Sequence, residues 1–246
     1  MKQTLFIAVL IFVFGACKKP ENRKCFKSTG EDIEREIPLG NFDRLMLHPH
    51  VAYVLIQDSL NKVVIKGGEN LVNFIECTVS NNLLEVTNNN KCPFWRNAKR
   101  ELIVEIHCTS VVNIHYEGTE YLKSVGTINS DYFTLYIRDG AGPVDLTMKS
   151  IVIDADISHG WGDYTLHGTT QIARIGARSN GYCDAQDLII TDSLYVASDT
   201  PGTVKVKANG IPMAGFLKSS GAIWYTGTPT AITVVRTGSG EILNKN

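Results

Sequence analysis

The sequence has no excess of charge of either sign. It carries 24 Lys and Arg against 25 Asp and Glu, a formal net charge of −1 at pH 7, which leaves no electrostatic case for binding nucleic acid. It has no Cys-x-x-Cys pair and no Cys/His spacing of the kind that holds zinc. It has almost no helical periodicity; only "ENLVNFIE", Glu69 to Glu76, could form a helical turn. Its one long apolar run, Leu5 to Phe14, has about ten residues, and a membrane-spanning helix needs roughly 20.

That run follows Lys2 and precedes the small residues Gly15 and Ala16, as the apolar region of a secretory signal does. Cys17 comes next, and the stretch resembles the lipobox of a bacterial lipoprotein signal, with Phe14 where that motif usually has Leu. The resemblance implies cleavage before Cys17 and lipidation of that residue; plain cleavage and release is the alternative. Removing residues 1–16 leaves 246 − 16 = 230 residues and takes away Lys2, so the net charge becomes −1 − 1 = −2. Several acyl chains, at about 0.8 kcal/mol per methylene, anchor a protein stably. Lys18 follows the cysteine, with no Asp there to favour inner-membrane retention. The expected location is therefore the outer membrane, with either orientation open. Residues 17–35, charged and poor in large apolar side chains, read as a lipidated tether.

Five cysteines remain, Cys25, Cys77, Cys92, Cys108 and Cys183. Export permits disulfides, but an odd number leaves at least one thiol unpaired within a monomer. Cys77 and Cys108 lie on the apolar phase of strands, where burial and a mutual bridge are both open; Cys25 and Cys92 lie in polar segments and could pair.

Segments such as "VAYVLIQ", "NKVVIKG", "NLLEVTN" and "ELIVEIHC" are rich in β-branched residues and punctuated by Gly, Asn and Asp, which makes the chain all-β. The second half repeats. Gly142, Gly162, Gly181, Gly202, Gly221 and Gly240 close its turns at spacings of 20, 19, 21, 19 and 19. Two residues after each stand Val144, Tyr164, Cys183, Val204, Ile223 and Ile242; four after stand Leu146, Leu166, Ala185, Val206, Tyr225 and Asn244. Five before stand Ile137, Ile157, Gly176, Ala197, Phe216 and Val235, again apolar or small. Alternate side chains of a strand face opposite ways, so these columns predict an apolar interior. A unit this short cannot bury its own apolar face and must stack on its neighbours, as in a parallel β-helix. A propeller blade needs about 40 residues. Glycine at the corner serves either a positive φ or the crowding of stacked turns. The solenoid is expected over 36–246, with an N-terminal part, 36–116, and regular glycine-turn coils, 117–246.

The succession "NFDRLMLHPHVAYVLIQ", "VVIKGGENLVNFIECTVSNNLLEVTN", glycine-turn coils and a closing "GAIWYTGTPTAITVVRTGSGEI" resembles the head-GIN domain family of auto-transporter adhesins, from about Ile37 to Ile242. The resemblance implies a right-handed parallel β-helix in an exported bacterial protein, often a lipoprotein, with no established enzymatic activity. "RSNGYC" and "DTPGTV" depart from the family's Gly/Ser-x-Gly turn, so those corners should be less regular.

Candidate sites are few. "ISHGWGDYTLHG" gathers His159, Asp163 and His167, with Asp154 and Asp156 just before it. Paired carboxylates could act as acid and base, or hold a metal, on the outside of a β-helix. Against this, the same offsets carry Asp139 and Arg178 in place of His159, and Asp145, Thr165, Asp184 and Lys205 in one ladder, as expected of a solvated face that avoids stacking like charges. "HPH", His48 to His50, could place two imidazoles on one strand face, without an identifiable third metal ligand. "CPFWRNAKR", with Trp95, Arg96, Lys99 and Arg100, could touch lipid headgroups or an acidic polysaccharide, or cap the solenoid. Trp161 in a turn and Trp224 at an outward offset are candidate ligand-binding residues, since aromatic faces on a flat β surface stack on sugars; packing under a neighbouring loop is the alternative. The last edge strand could pair with another subunit or be shielded by Lys245.

The expectation is a non-enzymatic, lipid-anchored envelope protein whose solenoid surface serves adhesion or glycan binding. It needs no cofactor, resident metal or catalytic set, and its partners are the membrane and a polysaccharide or envelope protein. The alternatives are a module for protein–protein interaction or structure in the envelope, and a polysaccharide lyase or hydrolase.

Overall fold

The computed structural model describes residues 29–90 and 101–246. The expected signal peptide, Cys17, Cys25 and the loop with Cys92 and Trp95 lie outside the described residues. The fold is a β-solenoid of about seven turns with coils of about 20 residues, as the glycine spacing predicts.

The chain runs through β1 (Asp32–Pro38), β2 (Arg44–Leu47), β3 (Ala52–Gln57), β4 (Lys62–Gly68), the one-turn helix α1 (Glu69–Val72), β5 (Ile75–Ser80), β6 (Leu83–Asn88), β7 (Ile103–Cys108), β8 (Asn113–Tyr116) and β9 (Leu122–Val125). The regular coils follow: β10 (Ile128–Asn129), β11 (Tyr132–Gly140), β12 (Pro143–Gly160), β13 (Asp163–Arg178), β14 (Tyr182–Ala185), β15 (Leu188–Asp199), β16 (Thr203–Lys207), β17 (Pro212–Leu217), β18 (Ala222–Thr226), β19 (Ala231–Arg236) and β20 (Ile242–Asn244). Two long faces result. The first runs β1-β4-β7-β3-β9-β12-β13-β14-β16-β18-β20. The second runs β5-β6-β2-β8-β11-β12-β13-β15-β17-β19. The long strands β12 and β13 bend around the corner and serve both faces.

The interior columns are those the glycine offsets predict on the first face. Val144, Tyr164, Cys183, Val204 and Ile223 are buried, as are Leu146, Leu166, Ala185 and Val206. Their aligned partners stack in register from coil to coil. Three tyrosines are wholly buried, Tyr53, Tyr116 and Tyr164. A buried phenol needs an acceptor, and each finds one in the backbone: Tyr53 donates to His48 O (2.8 Å), Tyr116 to Glu120 O, and Tyr164 lies 3.1 and 3.0 Å from Ala155 O and Gly176 O.

Four of the six corner glycines, Gly142, Gly202, Gly221 and Gly240, are required for space. None of the six has a positive φ, yet a Cβ on Gly202 would stand 2.5 Å from Gly181 O, one on Gly221 2.0 Å from Gly202 O, and one on Gly240 1.7 Å from Gly221 O. Each corner lies directly on the one before it. The irregular corners compensate locally. In "RSNG" Ser179 takes φ 58. In "DTPG" the buried Thr200 hydroxyl donates to Gly181 O (2.8 Å) and accepts from Gly202 N (2.9 Å).

Four features correct or settle points of the sequence reading. First, residues 32–35, assigned to the tether, already belong to β1, which pairs antiparallel with β4. Its charged residues Asp32, Glu34, Arg35 and Glu36 suit an edge strand, where charge discourages pairing with other chains. Second, the N-terminal part is not a simple run of coils. The coil made by β2 and β3 lies between that of β6 and β7 and that of β8 and β9, so after the edge strand β1 the chain enters the stack one coil in, moves outward through β4, α1 and the antiparallel β5–β6 hairpin, and then returns. Third, Cys77 and Cys108 form no bridge; both are free thiols, as is Cys183. Burial pushes Cys77 up to about 11 and Cys108 up to about 12.

Fourth, the column five residues before the glycines breaks. Ile137 pairs with Ile157, but Ile157 pairs with Ala177, and Gly176 faces Asp156 instead. The interior column is Ile137, Ile157, Ala177, Ser198 and Leu217. Gly176, Ala197, Phe216 and Val235 point to the outer side, where Gly176 and Ala197 are covered by their neighbours, Phe216 is half-buried and Val235 is 61% exposed. The corner after Arg178 is one residue shorter than the corner before it, and a one-residue offset in a strand exchanges its faces.

Candidate functional site

The acids and histidines of "ISHGWGDYTLHG" and its approach are dispersed. Asp163 opens β13 on the first face, opposite Tyr182. His167, farther along that strand, lies between two carboxylates of neighbouring coils, Nε2 3.2 Å from Asp145 and Nδ1 3.4 Å from Asp187. Asp154 and Asp156 stand on the outer side of the second face. His159, at the end of β12, has Nδ1 3.2 Å from Ser158 Oγ. Among the described residues no cluster of three or more His, Cys, Asp or Glu is arranged to hold a metal.

The HPH segment separates as well. His50 takes φ 68 and leaves the strand path, with Nδ1 3.9 Å from Glu120. His48 lies between Glu85 (Nε2, 2.8 Å) and Glu117 (Nδ1, 3.4 Å), and His115 Nε2 is 3.3 Å from the other oxygen of Glu117. This chain of alternating imidazoles and carboxylates joins β2, β6 and β8 across the outer second face. Sequence reasoning missed it because its members come from coils out of chain order.

Trp161 projects from the corner between the second and first faces and is 75% exposed. Trp224 does face outward, but it is half-buried. Its neighbours on both sides supply cations: Lys205 Nζ is 5.8 Å and Lys245 Nζ 4.8 Å from the ring centroid. Lys205 is also paired with Asp184 at 3.1 Å, which realises the alternation of charge expected along that ladder. Lys245 thus shields the ring on the last coil.

A shallow groove of about 230 Å³ opens on the outer second face. Two outward columns form it. One carries Asp154, Arg174, Tyr195 and Ala214; the other carries Asp156, Gly176, Ala197 and Phe216. Gly176 and Ala197 leave the floor low. Asp154 pairs with Arg174 (3.7 Å) and Asp156 with Arg178 (2.9 Å) on the next coil. Burial raises the Asp156 pKa, and Arg178 pulls it back down. At the other end Tyr195, 44% exposed, meets Phe216 edge to face at 6.4 Å. The Lys218 ammonium lies 4.4 Å from the Phe216 centroid. Each carboxylate has a guanidinium partner, and both pairs stand on the open surface.

A second hollow, about 560 Å³, lies where the coils enter the second face. Its wall includes Tyr132, Ile151, Asn129, Asp131, Lys149 and Gln171, and Tyr132 is 66% exposed. Tyr132 in β11 and Tyr195 in β15 are three rungs apart, ~14 Å at about 4.8 Å per rung. The second face therefore carries exposed aromatics at its entry corner (Tyr132), on its surface (Tyr195) and at its exit corner (Trp161).

The family profile described as "Putative auto-transporter adhesin, head GIN domain" matches residues 41–229. No curated protein matches the chain. Among solved structures, a putative adhesin from Bacteroides fragilis NCTC 9343 shares 21% identity and superposes with a TM-score of 0.80, over 87% of this chain and 97% of that one. A putative adhesin from Parabacteroides distasonis ATCC 8503 shares 15% identity with a TM-score of 0.62, over 88% and 98%. A putative lipid binding protein from the same strain shares 17% identity with a TM-score of 0.64, over 89% and 98%. At these identities the structures establish a common fold. With the matched segment covering most of its length, the chain belongs to the head GIN domain family of auto-transporter adhesins.

Proposed function

We propose that the protein is a non-enzymatic envelope adhesin, anchored in the outer membrane through lipid on Cys17, that binds glycans on the outer second face of its solenoid. The observation that carries this reading is the concentration on that face of exposed aromatic rings beside shallow hollows lined with amides, hydroxyls and paired charges. Such a surface can stack a sugar ring and satisfy its hydroxyls without closing over it. A flat, open face running across many rungs suits an extended polymer better than a small molecule, which prefers an enclosed, mostly apolar pocket.

A glycan array probed with the full-length protein and with Tyr132→Ala, Trp161→Ala and Trp224→Ala tests it. The expected result is binding that Tyr132→Ala or Trp161→Ala weakens and Trp224→Ala spares. Binding that depends on Trp224 alone would move the ligand to the first face. No binding to any glycan would refute the reading and leave protein–protein adhesion, which crosslinking with mass spectrometry on intact cells detects.

A further inference from the structure

We infer that the groove between Asp156 and Tyr195 is a subsite for one uncharged pyranose ring bearing vicinal hydroxyls. The inference rests on the glycan-binding reading above and goes beyond it by naming the site and the sugar class.

Gly176 points outward, and the Asp156 carboxylate occupies the space its side chain would take: a Cβ there would stand 2.1 Å from Asp156 Oδ1. Asp156 thus lies over Gly176, held by Arg178 at 2.9 Å. Ala197 continues the low floor on the next coil. The groove, about 230 Å³, is on the scale of a single sugar ring.

The walls choose the chemistry. On one side stand two carboxylate–guanidinium pairs, Asp154 with Arg174 and Asp156 with Arg178. Each presents an acceptor and a donor side by side. A hydroxyl is both donor and acceptor, so two adjacent hydroxyls match one such pair. A ligand carboxylate would find both guanidinium groups engaged and two aspartates beside it, which disfavours uronic acids. Tyr195 forms the other wall. Its ring meets Phe216 in a T-shaped contact, and Lys218 sits over the Phe216 ring, so Tyr195 is the aromatic surface left for the ligand.

The test titrates the full-length protein, by calorimetry and saturation-transfer NMR, with tetrasaccharides of glucose, mannose and galactose and with tetragalacturonate. Tyr195→Ala, Ala197→Leu and the shape-preserving pair Asp154→Asn/Asp156→Asn are compared with the parent after circular dichroism shows the same fold. The expected result is binding of at least one neutral oligosaccharide, weakened roughly ten-fold by Tyr195→Ala, on the order of what an aromatic contact contributes. Ala197→Leu, which fills the floor, should abolish it. Neutral-sugar binding unchanged by all three variants overturns the groove and leaves the adhesin reading standing. Preference for tetragalacturonate overturns the sugar class. Failure of every sugar overturns the groove and the glycan reading together.

Discussion

Two alanine substitutions in the same glycine column should have opposite outcomes. Gly162 and Gly221 occupy equivalent corners, and neither has a positive φ, so conformational freedom does not distinguish them. Space does. A Cβ on Gly162 would come no closer than 3.4 Å to any atom, an ordinary contact, whereas one on Gly221 would stand 2.0 Å from Gly202 O and 2.3 Å from Thr200 O. Both obstructing atoms are backbone, so relief requires the rungs to part by more than 1 Å, against a normal spacing of about 4.8 Å. That movement breaks the corner bond from Gly221 N to Thr200 O, 3.1 Å long, at a net cost of about 1 kcal/mol. It also strains the packing beneath by about 1–3 kcal/mol. Gly221→Ala should therefore cost about 3 kcal/mol, which in a domain of this size lowers Tm by roughly 6–12 °C. Gly162→Ala should stay within about 1 kcal/mol of the parent, with a gain where restricting the unfolded chain outweighs the added contact. Thermal melts followed by circular dichroism decide the matter. Equal losses in both variants would mean that the column exists for conformation. Equal tolerance would mean that the corners do not stack as described.

Tyr164→Phe should cost about 1–2 kcal/mol, because Ala155 O and Gly176 O lose a buried donor; an unchanged denaturation midpoint would contradict that role. Site-resolved alkylation at pH 8 should leave Cys108 and Cys183 unlabelled in the folded protein and label both in denaturant, since burial keeps these thiols protonated and the thiolate is the nucleophile. Rapid native labelling of either would refute the burial. Asp156 has its pKa raised chiefly by burial, so the folded state binds more protons than the unfolded state as pH rises from the ordinary carboxylate value of about 3.9. Its contribution to stability is therefore fullest at low pH and declines through the raised pKa. Parallel denaturation curves for the parent and Asp156→Asn across that window should show a shallower decline in the variant; identical slopes would dismiss the effect.

The regular coils were legible because period and chemistry agree there. Inward positions two and four residues after each glycine are buried from Val144 through Ile223, and the polar ladder from Asp145 to Lys205 closes into an ion pair where opposite charges meet. The N-terminal part was legible as strands but not as an arrangement. Nothing in "VAYVLIQ" or "ELIVEIHC" says that β3 and β7 are neighbours, or that β4 runs against β7 to close that end. Pairing between distant segments is set by the whole stack. The His48–Glu85–Glu117–His115 chain was hidden for the same reason.

The groove was concealed by a different error, and the error shows how such surfaces can be found. Counted back from Gly181, Gly176 falls in the column of Ile137 and Ile157, and counted back from Gly202, so does Ala197; both then pass for small core residues. Counted along the strand instead, Ala173, Ile175 and Ala177 face the core, and Gly176, between two of them, faces the other way and is covered by the Asp156 carboxylate. The glycine spacing varies from 19 to 21 residues, so the corner glycine is a poor origin for the strand that precedes it. Within a strand the period of two holds whatever the corner does. Small residues then carry opposite meanings on the two sides. Inside, Ala177 fills the limited width of the core. Outside, Gly176 and Ala197 remove the bulk that their neighbours Arg174 and Tyr195 supply, and a hollow appears between them. In a solenoid read by its strands rather than its corners, an outward glycine flanked by paired charges and an aromatic marks a ligand-sized depression.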